Sequence, residues 1–284
     1  MDLVKKYSKS TLYYAMMFAL AALFIFPLIW MFTSSLKPEA MIFTQLKSLN
    51  AFSLPFDQPL NTWLDAYKAV FARFNLVRAI GNSLMYGSII VICNIIVNSL
   101  AAYALAKFHF PGKKLIIALI IFIMIVPMET GIVPLFVIVN GLKLVNTIPG
   151  LIAPAIGSVF NVFLFRQFFM GIPDEFEEAA ILDGAGRMRI FVSIIMPLSK
   201  SIIATVAILT FIGSWNDFLW PVLIFTENAK MPLQVILNVL NNTDPVRTNE
   251  VLAALTVSTV PIIAIYAIFQ RFIVEGISHA GVKG

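Results

Sequence analysis

Charge is scarce in this chain. Of its 284 residues, 12% are charged, made up of 20 Lys and Arg and 15 Asp and Glu. An ordinary soluble domain carries about 25%, because a folded surface needs polar cover. Cysteine is scarcer still. Cys93 stands alone, which excludes a disulfide framework within the chain. The only histidines, His109 and His279, are far apart, and with Cys93 inside an apolar run they offer no metal-ligand spacing. Apolar residues make up 60% of the chain, which excludes disorder. The class that remains is a membrane protein.

The net charge of +5 and the isoelectric point near 9.3 do not point to nucleic acid. The basic residues sit in short clusters between long uncharged runs, not along one face. A modest Lys/Arg excess is what a membrane protein needs to orient its cytoplasmic side.

A helix needs about 20 mostly apolar residues to cross the hydrocarbon core. Six stretches qualify: 12–32, 82–106, 115–139, 149–169, 201–225 and 251–269. The expected fold is therefore all-α, a polytopic protein with six transmembrane helices in a single transmembrane domain over 1–284. A β-barrel would show alternation in runs of about ten residues instead. Lys5, Lys6 and Lys9 precede the first run as in a signal peptide. That run exceeds the usual apolar core of about 7–15 residues, and no Ala-x-Ala site follows before Lys37, so it reads as an uncleaved helix.

Loop charges set the orientation. With the N-terminus inside, the cytoplasmic segments hold Lys5, Lys6, Lys9, Lys107, Lys113, Lys114, Arg166, Arg187, Arg189, Lys200, Arg271 and Lys283. Lys37, Lys47, Lys68, Arg73, Arg78, Lys143, Lys230 and Arg247 fall outside, most of them in one long loop. This bias favours N-in, C-in. The outer loop 34–80 has helical spacing over 62–72. A second outer loop, 226–250, carries the turn signal Asn241, Asn242, Asp244 and Pro245. Inside, 107–114 is a tight turn on Pro111 and Gly112.

The inner loop 170–199 is unusual. Its stretch 171–184 holds Asp174, Glu175, Glu177, Glu178 and Asp183, five of the chain's 15 acidic residues. Asp174 followed by Glu177 has the spacing of a capping box, and carboxylates in a first turn suit the positive end of a helix dipole. Ala179 and Ala180 leave one side low, and Gly184 supplies a C-terminal break. A second helical stretch, 188–196, leads to Pro197, which can start the next span. Such a helix could simply lie along the bilayer. The inner leaflet attracts basic segments, however, so an acidic helix is better placed against a protein.

Glu178-Ala179-Ala180, with Gly184, Ile194 and Pro197 at their spacings, resembles the EAA loop of bacterial ATP-binding-cassette importer permeases; Met196 stands where the pattern has Leu. Asn82-Ser83-Leu84, the segment Trp215-Asn216-Asp217-Phe218-Leu219-Trp220-Pro221 and the terminal Gly281-Val282-Lys283-Gly284 resemble the carbohydrate-uptake branch, and within it the smaller permease of maltose-type transporters. The resemblance implies a multi-pass subunit of the bacterial inner membrane, paired with a second, homologous permease. It further implies two cytoplasmic ATPase subunits, a solute-binding protein outside and a carbohydrate substrate, with no nucleic-acid partner. Carried over, Glu178 is the docking carboxylate, Ala179 and Ala180 pack in the ATPase cleft, and Asp183 and Gly184 belong to the docking turn. ATP and Mg would be bound by the partner ATPases, and no cofactor or catalysis is expected on this chain. Gly112-Lys113 has no upstream glycine at the spacing of a phosphate-cradling loop.

Ionisable residues within a span are functional candidates by default. Glu129 lies between Pro127 and Pro134 with Gly131, where irregular backbone could line a cavity; it could equally be a wet residue near the outer boundary. Trp215, Asn216 and Asp217 combine an aromatic face with polar groups suited to sugar hydroxyls, although Trp220 reads better as part of an interfacial aromatic belt. In maltose-type transporters the larger permease holds most sugar contacts, which weakens each of these assignments. Asn94, Asn98 and Asn161 are expected to make interhelical hydrogen bonds. Two other classes stay open: a self-contained secondary transporter, which usually needs more intramembrane charge, and a membrane enzyme, for which no paired carboxylates or Ser/His arrangement is present.

Overall fold

The computed structural model describes residues 2–281, with side chains described from 12 to 270 apart from Met128. Val282, Lys283 and Gly284, which complete the terminal motif, lie outside the described residues. Among the described residues every regular element is helical.

The first helix, α1 (Asp2–Ser35), is followed by α2 (Glu39–Gln45) and α3 (Asp65–Phe74). The helix expected over 62–72 thus begins at Asp65 and ends where Asn75 takes a left-handed conformation. Next come α4 (Leu76–Lys107), α5 (Lys113–Ile125) and α6 (Ile132–Gly141). After them come α7 (Ile148–Ile156), α8 (Val159–Met170), α9 (Glu175–Leu182) and α10 (Arg187–Leu198). The chain continues with α11 (Lys200–Asn216), α12 (Leu219–Ile224), α13 (Leu233–Asn241) and α14 (Thr248–Gly281).

Among the described residues, three helices are long and apolar enough to cross a membrane unbroken: Leu12–Ser35, Leu76–Lys107 and Thr248–Gln270. Three bent pairs raise the number of candidate spans to six. They are not the uninterrupted helices that hydropathy suggests. The stretch 115–139 divides at Val126, held extended because it precedes Pro127. The stretch 149–169 bends by 42° between Ile156 and Val159. The third pair, Arg187–Leu198 with Lys200–Asn216, bends by 80° and takes in the end of the acidic loop, so it differs from the expected stretch 201–225. That stretch stops at Asn216, because Asp217 is extended and its carboxylate accepts the backbone N–H of Trp220 at 3.3 Å. A side chain that serves a local backbone donor competes with helix continuation.

The chain folds as two compact units, one built from residues up to 77 together with 236–260, the other from 78–235 and the chain beyond 260. In the first, Phe26 of α1 packs on Phe52 with ring centroids 4.1 Å apart. Lys37 is 2% exposed and, among the described residues, meets no carboxylate. Its Nζ donates to Gln45 Oε1 at 3.0 Å and to the carbonyls of Asn50 and Ala51 at 2.8 and 3.1 Å. Burial lowers its pKa from the ordinary lysine value. Arg73 and Arg247 share the buried carboxylate of Glu250, at 3.4 and 3.5 Å. Glu39 accepts the backbone N–H of Thr248 at 2.8 Å, at the start of α14.

The second unit has two apolar clusters. One gathers Tyr103, Phe165, Phe169, Ile190, Phe191 and Ile195 around the loop between α8 and α10. The other gathers Tyr86, Ile90, Leu151, Trp220, Ile224 and Phe225. Between α4 and the α7–α8 bend lies a polar seam. Asn94 Nδ2 donates to the carbonyls of Ala155 and Ile156 at 3.3 and 3.2 Å. Asn98 Nδ2 donates to the Ile156 carbonyl at 2.9 Å, and its Oδ1 accepts the Ser158 N–H at 2.9 Å. Asn161 Nδ2 donates to Asn94 Oδ1 at 2.7 Å and to Thr210 Oγ1 at 3.0 Å. The expected interhelical bonds therefore form, and most of them meet backbone groups that the bend has released. Gly150 is required near this bend, since a Cβ there would collide with the Leu144 carbonyl.

Candidate functional site

The acidic loop folds around three local events. Lys107, the last residue of α4, donates to the Ile172 carbonyl and to Asp174 Oδ1, both at 2.6 Å. Asp174 is thereby drawn away from its own helix and makes no side-chain cap on α9. The capping box suggested by Asp174 and Glu177 does not form, because each carboxylate has a stronger cationic partner elsewhere. The Lys107 hydrogen bond holds the Asp174 carboxyl below the usual carboxylate range. At the other end of α9, Gly184 has φ +78°. The N–H of Gly184 bonds to the Ile181 carbonyl and that of Ala185 to the Ala180 carbonyl, both at 2.9 Å. This double closure is the Schellman arrangement, which glycine permits without strain.

The third event is a buried network that the sequence did not reveal. Glu177 is 5% exposed. Its Oε2 accepts from the Tyr103 hydroxyl at 3.0 Å and from Arg187 Nη1 at 3.1 Å. Tyr103, on α4, is packed by Phe108, Phe169 and Phe191, and the Arg187 guanidinium lies 5.5 Å from the centre of the Phe108 ring. Among the described residues, Glu177 Oε1 is buried without a hydrogen-bond partner. No sequence signal singles this residue out: Glu177 and Ala180 are three apart, on one face of a helix, and only the fold shows that this face is the buried one.

The expected docking residues separate across α9. Glu178, Ala179, Asp183 and Gly184 are exposed, whereas Ala180 packs into the chain's own apolar cluster. Glu175, Phe176, Ala179, Ala180, Asp183 and Ile194 line a shallow cleft beside the helix. Leu182, at its end, is 89% exposed. The following stretch is helical as expected, with a π-helical turn at Phe191–Ile195. Pro197 sits in the last turn of α10 and does not open the next span. The 80° bend falls after Leu198, and α11 starts at Lys200.

The candidate path residues are less concentrated. Glu129 is exposed in the turn between α5 and α6. Trp215 is 1% exposed and stacks on Phe211 at 5.7 Å, while Asn216 points away and donates to the Ile212 carbonyl at 2.8 Å. Asp217 holds the start of α12. Trp220 does not belong to an interfacial belt. It is buried, and its Nε1 donates to the Leu151 carbonyl at 3.2 Å, so burial with a satisfied N–H replaces the wet edge expected for it. The Asn82-Ser83-Leu84 motif also acquires a role. Asn82 donates to the carbonyls of Ala229 and Met231 at 2.9 and 3.0 Å, and Ser83 Oγ accepts the Leu233 N–H at 2.8 Å. Tyr86 adds a bond to the Lys230 carbonyl at 3.0 Å, fixing the loop that enters α13. Among the described residues, no group of three His, Cys, Asp or Glu is placed to hold a metal ion.

Comparison with known proteins converges on one family. Residues 95–279 match the model of the binding-protein-dependent transport system inner membrane component. The arabinooligosaccharide transport system permease of Halalkalibacterium halodurans is 34% identical over 266 residues, covering 93% of each chain. The sn-glycerol-3-phosphate transport system permease of Yersinia enterocolitica is 39% identical over 199 residues, covering 69% of this chain and 70% of its own. A crystal structure of a bacterial ABC transporter involved in import of the acidic polysaccharide alginate has a chain that superimposes with a TM-score of 0.78. It is 26% identical, covering 92% of this chain and 95% of that one. This chain, with several helices apolar enough to cross a membrane, therefore belongs to the inner membrane components of binding-protein-dependent transport systems, as a multi-pass permease subunit.

Proposed function

We propose that the chain forms half of the translocation path of an ATP-driven importer for a carbohydrate or related solute, as one transmembrane permease domain with both termini inside. Its partners are a homologous permease, two cytoplasmic ATPase subunits that bind ATP and Mg, and a solute-binding protein outside. The observation that carries the reading is the build of α9. Its exposed side offers Glu178 and Ala179 beside a shallow cleft, while its other side is fixed to α4 and α10. A helix held this firmly transmits displacement, since packed helices have discrete arrangements and move as rigid bodies. Glu178 is the docking carboxylate, Ala179 gives the partner close approach, Ala180 seats the helix on the chain's own apolar cluster instead of meeting the partner, and Asp183 with Gly184 shape the turn.

Along the path, the exposure of Glu129 and Asn216 supports a lining role, with Trp215 and Asp217 shaping the segment that carries Asn216. The relatives named for arabinooligosaccharides and glycerol phosphate support a hydroxyl-rich solute. Membership in a binding-protein-dependent family speaks against a self-contained secondary transporter.

The test is Glu178→Lys, assayed with arabinooligosaccharide, glycerol 3-phosphate and alginate oligosaccharide as trial solutes. Uptake of the solute that the native importer takes up is expected to be lost, while the chain stays in the membrane at native level. Native ATP-driven uptake by this variant would remove the assignment of Glu178.

A further inference from the structure

The Glu177 network is unexplained by stability alone. The pair joins a buried carboxylate to an Arg187 side chain that is 55% exposed; burying the carboxylate carries a desolvation cost that offsets the attraction, and the best-attested use of such a group is to fix registry. This pair also leaves one buried carboxylate oxygen, Glu177 Oε1, unpartnered among the described residues, which is costly in any folded chain. An apolar residue at 177 would avoid that cost in a pocket already lined by Tyr103, Phe108 and Phe191. What the carboxylate supplies is geometry. It joins three separate elements at one atom: α9 through Glu177, α4 through the Tyr103 hydroxyl, and α10 through Arg187. Lys107 adds a second fastening between α4 and the start of the loop.

We propose that Glu177 is a positioning residue for transport: it locks α9 to α4 through Tyr103, so that displacement of the docked helix is passed to that span without slip. Glu178 faces outward to the partner and Glu177 faces inward to the span, so adjacent carboxylates serve the two ends of one mechanical link. The proposal rests on α9 being the helix that docks the ATPases.

The test measures the distance between spin labels on α9 and α4 in the purified full complex. Labels are attached at Leu182→Cys and Ala101→Cys, both exposed positions, in a Cys93→Ala background. The complex is compared without nucleotide and with ATP and vanadate, and retention of the ATPase subunits is recorded for each variant. The native chain is expected to keep one narrow distance in both states. Tyr103→Phe and Glu177→Ala are expected to lose it, giving a distance that shifts or broadens with nucleotide while the ATPases stay bound. Glu177→Gln is expected to restore the narrow distance, because its carbonyl still accepts from Tyr103 and Arg187; a role confined to filling space would spare Tyr103→Phe, which keeps the ring and loses only the hydroxyl.

A distance that moves in the native chain, or that stays fixed in both disrupting variants with the ATPases bound, overturns the lock and leaves docking intact. A native complex that retains no ATPase subunits overturns the docking reading and the lock with it.

Discussion

Replacing Asn98 by Leu tests how the bent span between α7 and α8 is held. Asn98 is 1% exposed, and Leu fills a similar volume, so the change removes polar contacts and leaves little cavity. Three bonds are lost: those to the Asn94 and Ile156 carbonyls and the one from the Ser158 N–H. Their effects are unequal. The Ile156 carbonyl keeps a bond from Asn94 at 3.2 Å, and the Asn94 carbonyl lies within the continuous helix α4. Only the Ser158 N–H is orphaned. An interhelical side-chain bond in a membrane averages about 0.6 kcal/mol. A buried donor left unsatisfied adds about 1–3 kcal/mol, so the expected loss is about 2–4 kcal/mol.

Asn161→Leu is the control. It removes bonds to Asn94 Oδ1 and Thr210 Oγ1. The Thr210 hydroxyl can turn to another partner, whereas Asn94 Oδ1, its amide held by the Ala155 and Ile156 carbonyls, cannot. An under-satisfied carbonyl is tolerated better than an orphaned N–H, and the loss should be smaller, about 1–2 kcal/mol. Reversible unfolding in mixed detergent and sodium dodecyl sulfate, followed by tryptophan fluorescence, measures both. Native stability for Asn98→Leu would refute the reasoning, as would a larger loss for Asn161→Leu.

Two further predictions concern the acidic loop. Gly184→Val forces a β-branched residue to φ +78°, a left-handed conformation that costs about 1–2 kcal/mol. Thermal unfolding should shift down and fewer ATPase subunits should be retained on the purified complex; unchanged retention and melting would contradict the role of the turn. The Asp174–Lys107 contact should be pH-dependent, because the contact holds the Asp174 carboxyl below its unfolded value. A depressed carboxylate contributes stability that is present above the unfolded value and fades as pH falls through the folded one. The melting gap between the native chain and Asp174→Asn should therefore be full near neutrality and close in acid, and a gap independent of pH would sink the assignment.

Much of this was legible in the sequence. The six apolar stretches, the turn at Gly184 and the interhelical asparagines all follow from composition and local chemistry, which need only neighbouring residues. The breaks were less legible. Hydropathy counts apolar residues and is blind to Val126 being held extended by Pro127, or to Asp217 serving the Trp220 N–H. Trp220 was misplaced for a related reason. An aromatic residue near the end of an apolar run fits a membrane edge, and only the fold shows that the Leu151 carbonyl is within reach of its ring. The Glu177 network was hidden in the most acidic part of the chain. Adjacent Glu177 and Glu178 are chemically alike in sequence, and only the rotation of α9 against Tyr103 tells the inward carboxylate from the outward one.

The seam at the α7–α8 bend bears on how the chain enters a bilayer. Lipid offers no donor or acceptor to a bent helix, so the carbonyls of Ala155 and Ile156 must find protein at once. The side chains that receive them, Asn94 and Asn98, lie about 60 residues earlier. Synthesis delivers the N-terminal part first, so α4 is already present when the bent segment arrives. Trp220, which bonds the Leu151 carbonyl, follows 69 residues after it. The carbonyls of Ala155 and Ile156 thus emerge after their receptors, whereas the Leu151 carbonyl waits for Trp220; a permuted chain that began at α7 would present an unmet bend to lipid and should be recovered in the membrane at lower yield.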